Sequence, residues 1–424
     1  SSRSSSTSAG CTQQRAAALY HASETFYLVN GSTCGILAAV AAATKRGGKL
    51  LMARNCHKAA YHAALLNNLE VSYLYPAADM TRGLSGAIAP DEVERMLKKD
   101  ASLRTVLITS PTYDGVCSDV RRIAEIVHQY DGILIVDEAH GAHFGMHPYF
   151  PEHALTCGAD LVINSVHKTL PSLTQTALLH VQGMRVDRER LKRFLGMYQT
   201  SSPSYVLMAG IDACVRMLLE HGPELFDTFA KRLEGLRKQL FCMQALELVR
   251  GTEPELGAYD YDRSKILVAT HRSGIAGPEL SGMLRSRYQL EMEMDSEHYV
   301  TAITTVADTE EGLQRLAEAL TAIDSELERQ PGKLVRPFAA WKNETVLRIG
   351  EAAEAGKKSM LLAKSEGSIS AEFVYLYPPG IPLLVPGERI SGELLEKLLQ
   401  YRANGFVLEG MADYRGEEIQ IVRA

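Results

Sequence analysis

The sequence predicts an α/β fold, with a mostly parallel central sheet flanked by helices and a smaller C-terminal α/β domain. Three observations support this class. Short apolar segments of strand length alternate with helical segments over residues 12–165. The chain has 424 residues, which is more than one compact core usually holds. Hydrophobic residues make up 46% and charged residues 23%, as is typical of a globular protein.

The alternation of strand and helix begins near the N-terminus. Each strand is a short, almost continuous apolar run, as expected where helices cover both faces of a sheet. Ligands bind beyond the carboxyl ends of the strands in such sheets, so functional residues are expected just after each strand. The predicted elements are helix 12–22, strand 25–29, helix 36–44, strand 49–53, helix 59–67, strand 71–75, helix 91–100, strand 104–109, helix 121–130, strand 133–139 and strand 159–165.

The pattern changes past the middle of the chain and predicts the smaller domain. A strand-like segment at 265–270 precedes a long amphipathic helix at 309–328, and a segment rich in proline and glycine follows. We therefore predict two domains. Residues 1–255 form the N-terminal segment and the large domain, and residues 256–424 form the smaller one.

Charge and cysteine content exclude several classes of function. The formal net charge is −6, so neither nucleic acid nor an anionic membrane surface is an expected partner. The 7 cysteines are scattered and never spaced as Cys-x-x-Cys. This favours reduced thiols and a cytoplasmic location over disulfides or structural zinc. No apolar run approaches the length of a membrane span.

The stretch Ile133–His140, ILIVDEAH, is an apolar strand that ends in acidic residues. Nucleotide-driven motors use this pattern to hold Mg²⁺, but they also need the phosphate-binding pattern Gly-x₄-Gly-Lys-Ser/Thr. The nearest candidate, at residues 350–358, has five residues between its glycines and a lysine where serine or threonine is required. An ATPase is therefore not expected.

A metal site is a second interpretation of the same region, because Asp137, His140, His143 and His147 lie close together. On one continuous helix, the three histidines would share a face. Glycines and a proline interrupt the segment, so a continuous helix is not expected. We favour ordinary loop histidines and no bound metal.

Lys168 and Asp137 indicate a different chemistry. Asp137 lies near the end of one predicted buried strand, and Lys168 follows the next one. Their separation of 31 positions accommodates one further strand with its connection, so both side chains can reach one crevice. Pyridoxal 5′-phosphate (PLP) requires a lysine that forms a Schiff base and an acid that keeps its pyridine nitrogen protonated. Alone, such an acid is more often structural and such a lysine a surface charge. Together they predict a PLP site.

A phosphate site is predicted at the start of the second helix. Ser32 and Thr33 offer hydroxyl and backbone N–H groups at the positive end of the helix dipole. Ser165 and His167, which flank the end of the strand before Lys168, supply further donors. The alternative is that Ser32 and Thr33 only cap the helix.

With these residues considered together, the sequence resembles the PLP-dependent Orn/Lys/Arg decarboxylase family of fold type I, in its shorter, wing-less branch. The resemblance extends from about Phe26 to Glu388 and places the family's C-terminal region at about residues 335–424. The Pro-Gly-His-Lys segment that relatives carry upstream of this region does not occur here. The matching segments are FYLVNGST, NCHKA, TSPTYDG, VDEAHGAH, SVHKTL with LTQTA, QTSSPSY, and YPPGIPLLVPGE.

The resemblance implies a role for each position. Lys168 would form the Schiff base, Asp137 would pair with the pyridinium, and His57 would stack on the ring. His140 would lie beside the cofactor and the substrate carboxylate, and His140 and His167 would be candidate proton donors to the carbon that loses CO₂. The phosphate would be held by Ser32, Thr33, Ser165, His167 and, from the neighbouring subunit, Thr200 or Ser201.

The resemblance leaves other contacts open. Ser110 and Thr112 are candidates for contacts with the ring oxygen. Four carboxylates are candidates for receiving a basic substrate side chain, although each is also compatible with a structural role: Asp114, Asp262, Glu372 and Glu388.

These roles predict a PLP-dependent decarboxylase that converts lysine, arginine or ornithine to its amine and CO₂. The predicted partners are a small amino acid substrate and further copies of the chain, as a homodimer or higher oligomer with active sites at the interface. Polyamine biosynthesis is the predicted context. The alternatives are a PLP-dependent aminotransferase or lyase that acts on another amino acid, and a non-catalytic homologue that keeps the fold.

Overall fold

The computed structural model describes residues 8–332 and 341–423. The beginning of the predicted C-terminal family region, up to residue 340, therefore lies outside the described residues. The helices are α1 (Ser8–Leu19), α2 (Gly31–Ala43), α3 (Lys58–Leu66), α4 (Pro90–Lys99), α5 (Val120–Gln129), α6 (Val166–Thr169), α7 (Arg188–Tyr198), α8 (Tyr205–Leu240), α9 (Gly277–Tyr288), α10 (Glu310–Glu326), α11 (Ile349–Glu354) and α12 (Gly392–Ala403).

The strands of the described residues are mostly short. They are β1 (Glu24–Leu28), β2 (Lys49–Ala53), β3 (Glu70–Leu74), β4 (Ala78–Asp79), β5 (Leu84–Ser85), β6 (Thr105–Thr109), β7 (Val116–Cys117), β8 (Ile133–Asp137), β9 (Leu161–Asn164), β10 (Ala177–Val181), β11 (Glu247–Leu248), β12 (Asp260–Tyr261), β13 (Lys265–Ala269), β14 (Met294–Asp295), β15 (Tyr299–Ile303), β16 (Lys357–Leu361), β17 (Val374–Tyr375), β18 (Pro382–Leu384) and β19 (Glu418–Val422).

Seven strands form the central sheet in the order β1-β10-β9-β8-β6-β2-β3. All neighbours from β9 to β3 pair in parallel, whereas β10 is antiparallel to both β1 and β9. Thr109 pairs with Asp137, and Asp137 with Ile163, so β6, β8 and β9 end at the same edge. The predicted fold class is confirmed, as a mixed sheet in which parallel pairs predominate.

Several elements of this region were not predicted, among them β10, α7 and α8. β10 enters the central sheet between β1 and β9. The 36-residue helix α8 contains Gly222 and Pro223, a pair that normally indicates a helix end. In addition, α2 begins at Gly31, so Ser32 and Thr33 lie in its first turn.

The later part of the chain adds a smaller α/β unit. Strands β11, β13, β15 and β14 form an antiparallel sheet, and α9 packs on β15. A separate apolar cluster beyond residue 341 joins residues of β17, β18, β19 and α12. The predicted division after residue 255 stays a prediction. No helix in the described ranges combines the length and apolar character needed to cross a lipid bilayer.

Arg54 connects the central sheet to the C-terminal unit. It follows β2, and its side chain is 2% exposed. The guanidinium donates hydrogen bonds to the carbonyl oxygens of Pro382 (2.5 Å) and Leu383 (3.1 Å) and to the hydroxyl of Tyr61 (2.8 Å), and one of its nitrogens lies 3.5 Å from a Glu388 oxygen. These acceptors compensate the cost of burying the cation. They also fix the segment around β18 against the sheet edge.

We expect Arg54→Met to lower the free energy of unfolding by about 3 kcal/mol, because Glu388 would remain buried without its cation. Urea denaturation measures the change. The matched control is Arg95→Met, since Arg95 forms an exposed ion pair with Glu92 and should contribute little to the free energy of unfolding. Equal losses in the two variants would contradict the role assigned to Arg54.

Candidate active site

A cavity of about 430 Å³ lies at the carboxyl edge of the central sheet. Its wall combines the first turn of α2, the segments that follow β2, β8 and β9, and a segment near β18. Most of the residues predicted as site residues come together here. Those that line the cavity are Ser32, Thr33, His57, Asp137, His140, Ser165, His167 and Lys168.

Lys168 lies in α6, the short helix that follows β9. Its Nζ is 3.1 Å from Nε2 of His140. Burial lowers the pKa of Lys168, and the negative charge of Asp137 opposes this change. Burial and the neighbouring lysine charges also hold the pKa of His140 well below its ordinary value. A lysine with a lowered pKa is a better nucleophile, because more of it is the free amine.

Asp137 is the last residue of β8 and is 4% exposed. Its Oδ1 accepts a hydrogen bond from the Ala139 N–H at 3.2 Å. Burial raises the pKa of Asp137, and the positive charge of Lys168 opposes the change. A buried carboxylate of this kind favours a cation brought into the cavity. A protonated pyridine nitrogen is such a cation.

Ser165 and the start of α2 form a candidate anion site. The Ser165 hydroxyl is buried and has no hydrogen-bond partner among the described residues. Asn30, the N-cap of α2, makes no side-chain hydrogen bond to the helix. Ser32 and Thr33 follow in the first turn, where the helix dipole is positive. An unsatisfied hydroxyl beside an uncapped helix N-terminus suits a phosphate group.

His57 forms part of the cavity wall. Its Nδ1 accepts a hydrogen bond from the Ala59 N–H at 3.2 Å, which caps α3. Burial lowers the pKa of His57 to about 3, so the imidazole is neutral at physiological pH. Gly380 approaches so closely that a Cβ there would lie 3.2 Å from the ring. The imidazole is therefore held between α3 and the C-terminal unit.

His167 is fixed by a backbone contact. Its Nδ1 lies 2.8 Å from the carbonyl oxygen of Thr176. Because a carbonyl can only accept, Nδ1 carries a proton and donates it to this bond. Burial lowers the pKa of His167, so the neutral ring has a lone pair on Nε2. That atom is available to a group bound in the cavity.

Four of the predicted contact residues lie outside this cavity. Thr200 and Ser201 are exposed between α7 and α8, and Thr200 lines a separate cavity of about 280 Å³. The hydroxyl groups of Ser110 and Thr112 accept backbone N–H groups and do not line the site. The predicted contact of Thr200 or Ser201 with the phosphate of a neighbouring subunit stays a prediction.

None of the four carboxylates considered for a basic substrate side chain lines the cavity. Glu388 pairs with a buried arginine, and Asp262 lies 3.1 Å from His143. Glu372 accepts backbone N–H groups. Asp114 is buried, and burial raises its pKa to about 6. Their contacts indicate structural roles.

The histidines considered as metal ligands have separate partners. His140 contacts Lys168, His143 contacts Asp262, and His147 approaches Asp227 at 3.9 Å. Within residues 8–332 and 341–423, no group of three or more potential ligand side chains could hold a metal ion.

The sequence interpretation missed four residues near the site. Asn55 and Tyr113 line the cavity, and the Asn55 Oδ1 is buried without a partner in the described part of the chain. The Tyr113 hydroxyl donates to Glu293 at 2.7 Å, and Lys265 contacts His140 from behind the cavity. Asn55 and Tyr113 stand in matched motifs just after strands and could have been found there. No local pattern connects Glu293 or Lys265 with the site.

The polar groups of the cavity fit PLP. The site offers an amine of lowered pKa on Lys168, a buried carboxylate on Asp137, and a hydroxyl without a partner on Ser165 beside a helix N-terminus. These groups match the aldehyde, the ring nitrogen and the phosphate of the cofactor.

Comparisons with known proteins agree with this chemistry. The family model for the Orn/Lys/Arg decarboxylase major domain matches residues 4–258, and that for the C-terminal domain matches residues 348–405. The arginine decarboxylase of Bacillus subtilis is 30% identical over 415 residues, covering 97% of this chain and 84% of the relative. The arginine decarboxylase of Halalkalibacterium halodurans is also 30% identical, over 420 residues and the same shares of the two chains.

Solved structures share the fold. The constitutive lysine decarboxylase of Escherichia coli superimposes with a TM-score of 0.81 at 19% identity, covering 97% of this chain and 72% of the other. The Francisella novicida lysine decarboxylase gives a TM-score of 0.82 at 17% identity, with 99% and 72% covered. The predicted family is confirmed. The chain belongs to the Orn/Lys/Arg decarboxylase family of fold-type-I, PLP-dependent amino acid decarboxylases.

Proposed function

We propose that this chain decarboxylates a basic amino acid to its amine and CO₂, with PLP bound in the cavity. The observation that carries the proposal is that Lys168 and Asp137 line the same cavity at the sheet edge. Arginine is the first substrate to test, because relatives at 30% identity are named arginine decarboxylases. Lysine and ornithine follow, as the other substrates in the family name.

The proposed roles follow from the contacts of each side chain. Bound PLP would supply an electron sink for the pair left on the substrate carbon when CO₂ departs. Lys168 would hold the cofactor covalently, and Asp137 would keep its ring nitrogen protonated. His57 would be the residue beside the ring. The phosphate would be held by Ser32, Thr33 and Ser165, and by His167 when its ring is protonated on Nε2 as well.

We propose that His140 and Lys168 transfer the proton that each turnover takes up. Their nitrogen atoms are 3.1 Å apart, which is within hydrogen-bond distance. Lys168 Nζ can therefore receive a proton from Nε2 of His140 or return one to it. His167 Nε2 becomes a second candidate donor only when the ring takes up another proton, because the single proton of the neutral ring is on Nδ1 and is donated to Thr176.

Glu293 is our proposal for the residue that receives the cationic end of the substrate. Its carboxylate accepts a hydrogen bond from Tyr113, which lines the cavity. Burial lowers the pKa of Lys168 and of His167, and the negative charge of Glu293 partly opposes both changes. Glu293 also lines a neighbouring cavity of about 300 Å³ that shares Tyr377 with the main cavity. An anion at this junction can attract an ammonium or guanidinium group.

We also propose a homodimer or higher oligomer in which Thr200 or Ser201 reaches the phosphate of the adjacent subunit. Their exposure, away from the cavity of their own chain, supports this arrangement. A cytoplasmic location is proposed as well, since six described cysteines are all free. The amine product makes polyamine biosynthesis the proposed context.

The proposed reaction predicts CO₂ release from a basic amino acid in the presence of PLP. A panel of amino acids, assayed for both CO₂ and keto acid, should yield CO₂ with arginine, lysine or ornithine. Asp137→Asn should be slower by a factor on the order of 10²–10³, because the partner of the ring nitrogen loses its charge. Asp119→Asn, at the N-cap of α5, is the matched control. Keto acid without CO₂ would refute the proposal.

The role of Glu293 predicts an effect on substrate binding. Glu293→Gln should raise KM for the basic substrate by about 10–100-fold with a smaller change in kcat, because a charge-assisted contact is lost. Glu279→Gln, in the first turn of α9, is the control and should leave KM unchanged. A Glu293→Gln variant with the KM of the control would disprove this role.

A further inference from the structure

Lys265 is a buried lysine that the proposed reaction does not use. It is the first residue of β13, in the smaller sheet, and it is 0% exposed. Its Nζ lies 2.8 Å from Nδ1 of His140. Within the described residues it forms no ion pair with a carboxylate, and it does not line the cavity. Its ammonium therefore contacts Nδ1 of His140, whereas the other ring nitrogen, Nε2, faces Lys168.

The surroundings of Lys265 fix its side chain. Gly115 adopts a φ of +96°, and a Cβ at this position would lie 3.0 Å from Cγ of Lys265. The ring of Tyr113 lies 5.5 Å from Nζ of Lys265, and its centroid is 4.6 Å from that of His140. A glycine thus leaves space for the lysine stem, and one aromatic ring packs against both partners. This packing holds the side chains of Lys265 and His140 in contact.

The two nitrogens of His140 constrain the protons of both lysines. Burial and the charge of Lys265 keep His140 neutral, so one ring nitrogen carries a proton and the other a lone pair. When the Lys265 ammonium donates to Nδ1, the ring proton must be on Nε2. The Nε2–H then donates to Lys168 Nζ, 3.1 Å away, and Lys168 accepts this bond only as the free amine.

We propose that Lys265 is a positioning residue that holds His140 in the Nε2–H tautomer and thereby keeps Lys168 as a free amine, ready to bond to the cofactor aldehyde. The proposal rests on the covalent role of Lys168 proposed above. It also gives a path for one proton. Nε2 passes its proton to Lys168 Nζ while Lys265 Nζ passes one to Nδ1. The total charge of the three groups does not change.

Other charged groups around this chain of contacts set its pH range. Burial lowers the pKa of Lys265 to about 8, because it disfavours the ammonium, whereas the negative charges of Asp262, Glu293 and Asp114 favour it. His57 and His167 face His140 together with the two lysines. Asp137 and Glu293 act on Lys168. Lys265 is therefore the donor at neutral pH, below its own pKa.

The test uses the full chain purified without cofactor. It measures, as a function of pH, the rate at which this chain bonds covalently to added PLP. Only the free amine of Lys168 reacts, so the rate rises through the pKa of Lys168. In Lys265→Met, the His140 lone pair is free to accept from a Lys168 ammonium, which stabilises the charged amine. The midpoint of the curve of rate against pH should shift upward by about one pH unit. At a pH below the midpoint, the covalent reaction with PLP should therefore be about tenfold slower.

Two further variants separate this role from a structural one. Lys265→Arg keeps a cationic donor and should move the midpoint back toward the wild-type value. Lys49→Met removes a lysine that pairs with Asp100 away from the site and should leave the midpoint unchanged. A midpoint in Lys265→Met equal to that of Lys49→Met would overturn the proposal.

Nitrogen NMR of labelled histidine provides a readout that does not involve PLP. Wild-type His140 should be protonated on Nε2, with its signal assigned by comparison with His140→Asn. A proton on Nδ1 in the wild-type chain would overturn the proposal even if Lys265→Met fails to fold. If the wild-type chain captures no PLP, the proposed function fails, and the tautomer of His140 still decides the present inference.

Discussion

The site depends on a buried carboxylate and a lysine amine that face one cavity without neutralising each other. Lys168 forms its hydrogen bond with His140, and Asp137 with a backbone N–H. Burial raises the pKa of Asp137 and lowers that of Lys168, so it favours the neutral form of each group. The charge of each group partly reverses the pKa shift of its neighbour. A ligand that carries an aldehyde and a basic ring nitrogen satisfies both groups at once. The sheet makes this possible, because the aligned ends of β8 and β9 bring both residues to one edge.

The smaller units of the fold supply further residues around the cavity at the carboxyl edge of the central sheet. Arg54 holds β18 in place, and Gly380 closes against His57. Lys265, in the smaller sheet, contacts Nδ1 of His140, and Glu293 accepts a hydrogen bond from Tyr113. The central sheet thus supplies the groups that would contact PLP. The later part of the chain supplies groups that orient them and that extend the site toward a substrate.

The sequence predicted the parts of the site that follow from local pattern. Apolar strands followed by Asp137 and by the segment of Lys168 indicated a common edge, and the start of α2 indicated an anion site. Lys265 and Glu293 were not predicted, because their contacts with His140 and Tyr113 span 125 and 180 residues and depend on tertiary packing. Pro223 obscured α8 for a different reason, since proline within a helix normally ends it.

The most direct test of the central claim is to identify the residue that bonds to PLP. The full chain, loaded with PLP and treated with borohydride to make the bond permanent, can be digested and mapped by mass spectrometry. The arrangement around Asp137 and His140 predicts the cofactor mass on the peptide that contains Lys168. Attachment to Lys58, which also lines the cavity, or to Lys265 would contradict the account.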